Sequence, residues 1–176
     1  MALLATGRGS LAILLGDESV RFRLFSERIN WSRVLFAKLD GKTVGFLAFQ
    51  WAGVGPYAPK FRDFVREFGA VSGLLRYGLN SFLELRTQGH GFYVYGLKVV
   101  PEVRRRGVAR ALLLAAERHA VSLGVTSVEL EVYDTNVRAL AFYQTQGYRV
   151  RGEWRLGVMN RLLKFSSVLR LRKIVR

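Results

Sequence analysis

Residues 92–147 run strand, helix, strand, helix, and that succession confines the chain to folds built around a parallel crossover. Residues 92–100 are β-branched and aromatic, and Pro101 stops them. Residues 107–123 then carry Leu112, Leu113, Ala116, Ala120 and Leu123 at helical spacing, with Gly124 as the stop signal. Residues 127–133 alternate Val128, Leu130 and Val132 with Glu129, Glu131 and Tyr133, which is the period of a half-buried strand. A second helix is expected over 137–146, ended by Gly147. Two parallel strands joined through a helix make a right-handed unit. Upstream, the β-rich runs 34–39 and 43–49 flank Asp40, Gly41 and Lys42, and an Asp-Gly between apolar runs predicts an antiparallel hairpin. The expected class is therefore α/β (α+β), a mixed and mostly antiparallel twisted sheet flanked by helices.

Between Pro59 and Glu84, the residues Phe61, Phe64, Val65, Phe68, Val71, Leu74 and Leu75 recur at spacings of three and four. This predicts one bent or two short helices, interrupted at Gly69 and Gly73, within a helical insertion over 51–91 that extends the core, roofs a pocket or makes a dimer. The 176 residues suit one domain, 1–176, large enough to fold without staples. Cysteine is absent, which removes disulfides, thiolate nucleophiles and iron–sulfur ligation, and two histidines leave metal catalysis short of its usual ligands. No metal is expected. No uncharged apolar run reaches the roughly 18 residues that span a bilayer, and the short apolar stretch 11–15 lacks a secretory cleavage pattern, so a cytoplasmic protein is expected.

Charge is concentrated. The chain carries 28 Lys and Arg against 13 Asp and Glu, a formal +15, and residues 147–176 hold nine basic side chains against Glu153 alone. A basic C-terminal strand or tail over 155–176 follows. Val168, Leu169, Arg170, Leu171 and Arg172 alternate as a closing strand would, whereas Leu162, Phe165 and Leu169 would form a stripe on a membrane-surface helix.

Ahead of the helix at 107–123 lies a turn with Arg104, Arg105, Arg106 and Gly107, followed by Val108, Ala109 and Arg110. Free amides and a partial positive charge make a helix N-terminus an anion site, and small residues at 107 and 109 admit a phosphate to the backbone. A glycine serving only the turn, a solvated basic face and a nucleic-acid patch are the competing readings of the same residues.

The turn resembles the Arg/Gln-x-x-Gly-x-Gly/Ala motif of the GNAT superfamily of acyl-CoA-dependent N-acetyltransferases, and as in that family it follows an apolar strand ending in Val-x-Pro. A second match follows in order: Leu130-Glu131-Val132, then Asn136, Ala139, Tyr143 and Gly147-Tyr148. The resemblance covers about 92–150, with the hairpin at 34–49 similar to the family's central antiparallel strands. It implies a single GNAT-like domain with splayed parallel central strands, and acetyl-CoA as cofactor. The turn amides from Arg104 to Ala109, with Arg110, would bind pyrophosphate. Leu97, Lys98 and Val99 would offer a strand edge to the pantetheine arm, and a backbone amide there would polarise the thioester. Asn136 resembles the residue that bonds the cofactor arm, and Tyr143, two helical turns on, the residue that protonates the thiolate; an N-cap and a core aromatic are their plainer roles. The family's usual Glu early in the preceding strand is missing here, where 89–96 contains no carboxylate. His90, Glu129 and Glu131 remain as base candidates, although alternating charge on a strand more often marks a solvent face.

The implied activity is acetyl transfer to a primary amine by direct attack in a ternary complex. Trp51, Tyr57, Phe61 and Tyr93 are expected near that amine, whose carrier would be acidic if the +15 charge bears on it; a homodimer is compatible with the insertion. The alternatives are a non-catalytic CoA-binding regulator of the same fold, or a nucleic-acid or ribosome-associated protein held through the basic C-terminal segment.

Overall fold

The computed structural model describes residues 17–25, 28–85, 91–155 and 167–176. Its centre is a six-stranded sheet. In chain order the strands are β1 (Val34–Leu39), β2 (Lys42–Trp51), β3 (Phe92–Val99), β4 (Ser127–Tyr133), β5 (Arg149–Arg155) and β6 (Ser167–Ile174). In space they run β1-β2-β3-β4-β6-β5. The β3–β4 pairing is parallel and the other four are antiparallel. The hairpin β1–β2 turns through Asp40 and Gly41, both at positive φ, as a two-residue turn that follows the strand twist requires.

Helices α1 (Glu18–Phe25), α2 (Phe61–Phe68), α3 (Ala70–Leu85), α4 (Val108–Ser122) and α5 (Val137–Thr145) surround the sheet. The crossover helix α4 buries Leu112, Leu113, Ala116 and Ala120 against Leu47, Phe49, Phe92, Val94, Val128 and Leu130, in the positions its period predicts. Each such leucine contributes roughly 1.5–3 kcal/mol. Among the described residues no helix is long and apolar enough to cross a membrane.

The C-terminal strand β6 does not close the sheet at its edge. It inserts between β4 and β5, so the edge is β5, an exposed strand in which Val150, Gly152 and Trp154 alternate with charged residues. The remainder of the basic segment, including Leu162 and Phe165, lies outside the described residues.

The insertion corrects two expectations. The helices break at Gly69, but Gly73 lies inside α3. A Cβ there would stand 2.8 Å from Phe64 O and from Val65 Cα, so the missing side chain is what lets α3 approach α2. The seven apolar residues also do not share one buried face. Phe64 is fully buried with Leu24 and Phe25 of α1, whereas Phe61, Val71, Leu74 and Leu75 are exposed. The reason is what α3 uses as its inner face: Gly73, Asn80, Tyr77 against Phe64, and Arg76 with its guanidinium 4.5 Å from the Phe68 ring centre. The face that a helical wheel would bury points outward. Asp63 fixes the start of α2, accepting from the Lys60 amide at 3.1 Å and from Arg28 Nε at 3.1 Å.

Two glycines of α3 give a controlled comparison. Gly73→Ala meets backbone atoms and should lose about 1–3 kcal/mol in urea denaturation. Gly78→Ala, whose Cβ would meet nothing within 4 Å, should gain about 0.5–1 kcal/mol from helix propensity. Equal effects of the two changes would refute the close approach.

Candidate active site

The parallel contact between β3 and β4 covers only Phe92↔Val128, Tyr93↔Glu129 and Val94↔Leu130. Beyond it each strand is held by its other neighbour. On the outer side of β3 the register with β2 steps from Phe49↔Val94 to Ala48↔Gly96, which leaves Tyr95 as the extra residue of a bulge. On the outer side of β4, Glu131, Val132 and Tyr133 continue to pair with β6. The two strands therefore diverge, and β3 from Tyr95 to Val99 presents backbone toward the gap. Leu97 and Val99 turn their side chains into the core beside α4, and Lys98 pairs with Phe46 of β2. This edge can recognise a ligand only through its backbone.

At the end of β3 the chain passes a short 3₁₀ turn, Pro101–Val103, and enters α4. Arg104 donates from Nε to Val99 O at 3.2 Å and so ties the turn to the strand. Arg105, at φ 61, and Gly107, at φ 81, both take the left-handed conformation, which wraps the backbone around the helix start. Gly107 is the N-cap and supplies no capping side chain. The first amides of α4, from Val108, Ala109 and Arg110, thus face outward beside the exposed Arg105, Arg106 and Arg110. Unpaired strand edge leads directly to uncapped helix end, which suits an elongated ligand with an amide-bearing arm and a diphosphate.

Asn136 caps α5, accepting from the Ala139 amide at 3.2 Å through Oδ1; the cap uses its oxygen and keeps its amide donors. Tyr143 lies in the core cluster with Val94 and Val132, 5.8 Å from the Tyr148 ring. Burial pushes its hydroxyl up to about 12, and burial does the same to Tyr57. Tyr148 is raised further, by burial and then by the Glu117 carboxylate, which Lys173 Nζ meets at 2.7 Å. The Tyr143 hydroxyl therefore keeps its proton, and stays uncharged, across the neutral range.

The other face of the sheet carries Gln50, Tyr93, Glu129 and Arg172 in one cross-strand row, with Glu131 and Arg170 in the next. Glu129 and Glu131 are not a solvent face. Glu129 is buried and gripped by Arg172, and Glu131 is half-buried with Arg170 Nη2 at 3.5 Å. The tail arginines of β6 make this possible by crossing to the carboxylates of β4. Of the four aromatic residues expected near an acceptor, Tyr57 and Tyr93 meet through Tyr95, at ring separations of 6.0 and 5.8 Å. Trp51 joins the α4 side of the sheet under Arg33, and Phe61 stacks edge-on with Tyr77 between α2 and α3. Tyr95 keeps the face of Tyr93, as alternation gives it, and the bulge carries Leu97 and Val99 to the opposite face, beside Val94 and α4. His90 lies outside the described residues. Among those residues no group of three or more metal-ligating side chains gathers.

A model of the Acetyltransferase (GNAT) family matches residues 13–148. The chain belongs to that family. This GNAT chain is similar to the L-ornithine N5-acetyltransferase of Arabidopsis thaliana, 44% identical over 66 residues, a match covering 38% of this chain and 29% of that protein. In three dimensions it resembles Ard1 from Thermoplasma volcanium with a TM-score of 0.56, at 17% identity over 90% of this chain and 80% of the other. It also resembles a putative streptothricin acetyltransferase from Bacillus anthracis, solved with acetyl coenzyme A, with a TM-score of 0.55 at 17% identity over 85% and 67% of the two chains.

The buried tyrosines set an alkaline limit. Their folded-state values lie above the ordinary 10, so their contribution is full below pH 10 and is lost as pH climbs through about 12. The melting temperature should fall from pH 10 upward, and Tyr143→Phe should flatten that fall; a constant melting temperature to pH 11.5 would contradict the burial of these hydroxyls.

Proposed function

We propose that this GNAT chain transfers an acetyl group from acetyl-CoA to a primary amine by direct attack in a ternary complex. The observation that carries the reading is the run from the diverging edge of β3 into the uncapped N-terminus of α4, in a chain whose family is one of acetyltransferases. The acetyl-CoA held by a structural neighbour supports the choice of cofactor.

Bound acetyl-CoA would supply the activated acyl group. The amides of Arg105, Arg106, Gly107, Val108 and Ala109 would hold its diphosphate, with the guanidinium groups of Arg105, Arg106 and Arg110 adding charge, while Arg104 keeps the turn on the strand. Backbone groups of Leu97, Lys98 and Val99 would fix the pantetheine arm, Asn136 would donate to it from Nδ2, and an amide of β3 near the bulge would polarise the carbonyl. Tyr143 Oη would deliver its proton to the leaving sulfur.

Glu131 is the base we favour over Glu129 and His90. It stands one residue past the last β3–β4 pair, at the mouth of the gap, and it is the more exposed of the two carboxylates. Glu129 is instead committed to Arg172. The acceptor would approach over Tyr93, Tyr95 and Tyr57, on the face where Glu131 lies. L-ornithine, the substrate named for the plant relative, is the first amine to assay. The nucleic-acid reading loses support because Arg172 and Lys173 spend their charge on Glu129 and Glu117.

Acetyl-CoA at 100 times its dissociation constant should stabilise the protein by about 2.7 kcal/mol, seen as a rise in melting temperature. In thiol-release assays with a panel of primary amines, Tyr143→Phe and Glu131→Gln should each lower kcat by about 10²-fold. Stabilisation by acetyl-CoA without acetylation of any amine would favour the non-catalytic regulator.

A further inference from the structure

The two carboxylate–guanidinium pairs on the acceptor face occupy consecutive same-face positions of the same strands, Glu129↔Arg172 and Glu131↔Arg170. They are nevertheless unequal. In the inner pair, Arg172 brings both Nε and Nη2 onto one oxygen of a Glu129 side chain that is 5% exposed. In the outer pair the Nη2–Oε1 separation is 3.5 Å, beyond the usual range for a hydrogen bond, and the side chains are 20% and 39% exposed. A contact that long holds Arg170 less firmly than Glu129 holds Arg172.

Space lies beside it. The residue opposite Arg170 on β5 is Gly152, and a Cβ at that position would meet nothing within 4 Å. A guanidinium with an open flank on its β5 side, beside Glu131 and loosely held, is suited to take both oxygens of a carboxylate lying over this face in a forked contact.

We propose that Arg170 selects the acceptor: it exchanges Glu131 for a carboxylate on the substrate, and the acceptor class is a primary amine that carries a carboxylate near by. The proposal rests on the acetyl-transfer reading above and adds the class of substrate to it. Arg172 does not share the role, because Glu129 holds it. Two sources offer this chemistry, a free amino acid and a peptide amine beside an acidic side chain.

The test is kcat/KM for two matched pairs, L-lysine against 1,5-diaminopentane and peptides with Asp against Asn at the second position, in wild type, Arg170→Gln and Arg170→Lys. Within each protein the uncharged or decarboxylated partner is the reference. Wild type should favour the carboxylate-bearing member of one pair by about tenfold or more, and which pair shows it identifies the source. Arg170→Gln should bring the ratio close to one, and Arg170→Lys should leave it in between. An active enzyme with no preference in either pair, or a preference that Arg170→Gln does not change, overturns the proposal while acetyl transfer stands. Failure to acetylate any of the four amines overturns both.

Discussion

The parting of β3 from β4 after Val94 is the constraint on which the site depends. Parallel neighbours joined by a crossover helix would ordinarily stay paired, since unpaired backbone inside a sheet is costly. Here each strand is anchored on its outer side instead, β3 by β2 through the bulge at Tyr95 and β4 by β6 through to Tyr133. The crossover helix α4 covers one face and starts where β3 ends, so its amides sit at the carboxyl end of the diverging strand, where open α/β sheets collect ligands. Backbone edge and helix terminus are thereby brought to one end of the gap.

Charge follows from strand order. The chain opens as a +15 polypeptide whose excess crowds its C-terminus. Placing β6 between β4 and β5 turns part of that excess inward, where Arg172 neutralises a buried Glu129, Lys173 reaches Glu117 on α4, and Arg170 stands near Glu131. A polycation read along the sequence becomes, in the folded chain, the counter-charge for carboxylates that would otherwise be too expensive to bury. Breaking one of these inner contacts leaves an uncompensated acid, which separates their structural weight from that of exposed pairs such as Arg155 with Glu153.

Much of this was legible beforehand. The Asp40-Gly41 hairpin, the inward face of α4, the cap at Asn136 and the strand at 127–133 all rest on local signals, namely turn chemistry, period and a capping residue, that the fold does not override. The rest has a common cause in tertiary context. The apolar residues of α3 leave core, pocket roof and dimer contact open in the sequence, and the helix packs inward through Gly73 and Tyr77 instead. For Glu129 and Glu131 the alternation leaves a base and a solvent face both open, because the arginines that meet them come from a strand about forty residues later. Strand β5 alternates charged residues with Val150, Gly152 and Trp154 without burying any of them, and a bulge after Val94 puts Leu97 and Val99 on the face opposite to the one plain alternation gives. Backbone geometry at 95–99 is equally silent, since its side chains look like those of any buried strand.

That silence at Leu97 and Val99 has an evolutionary side. Their side chains answer to the core beneath α4, while the surface they turn to the gap is peptide bond. Selection on the hydrogen-bonding edge therefore acts on strand position and bulge, and selection on residue identity acts on packing volume. The two are physically separable, so exchanging one apolar residue for another of like volume along this strand leaves what the edge presents unaltered. Kinship at this point of the fold is carried by the path of the main chain more than by its letters.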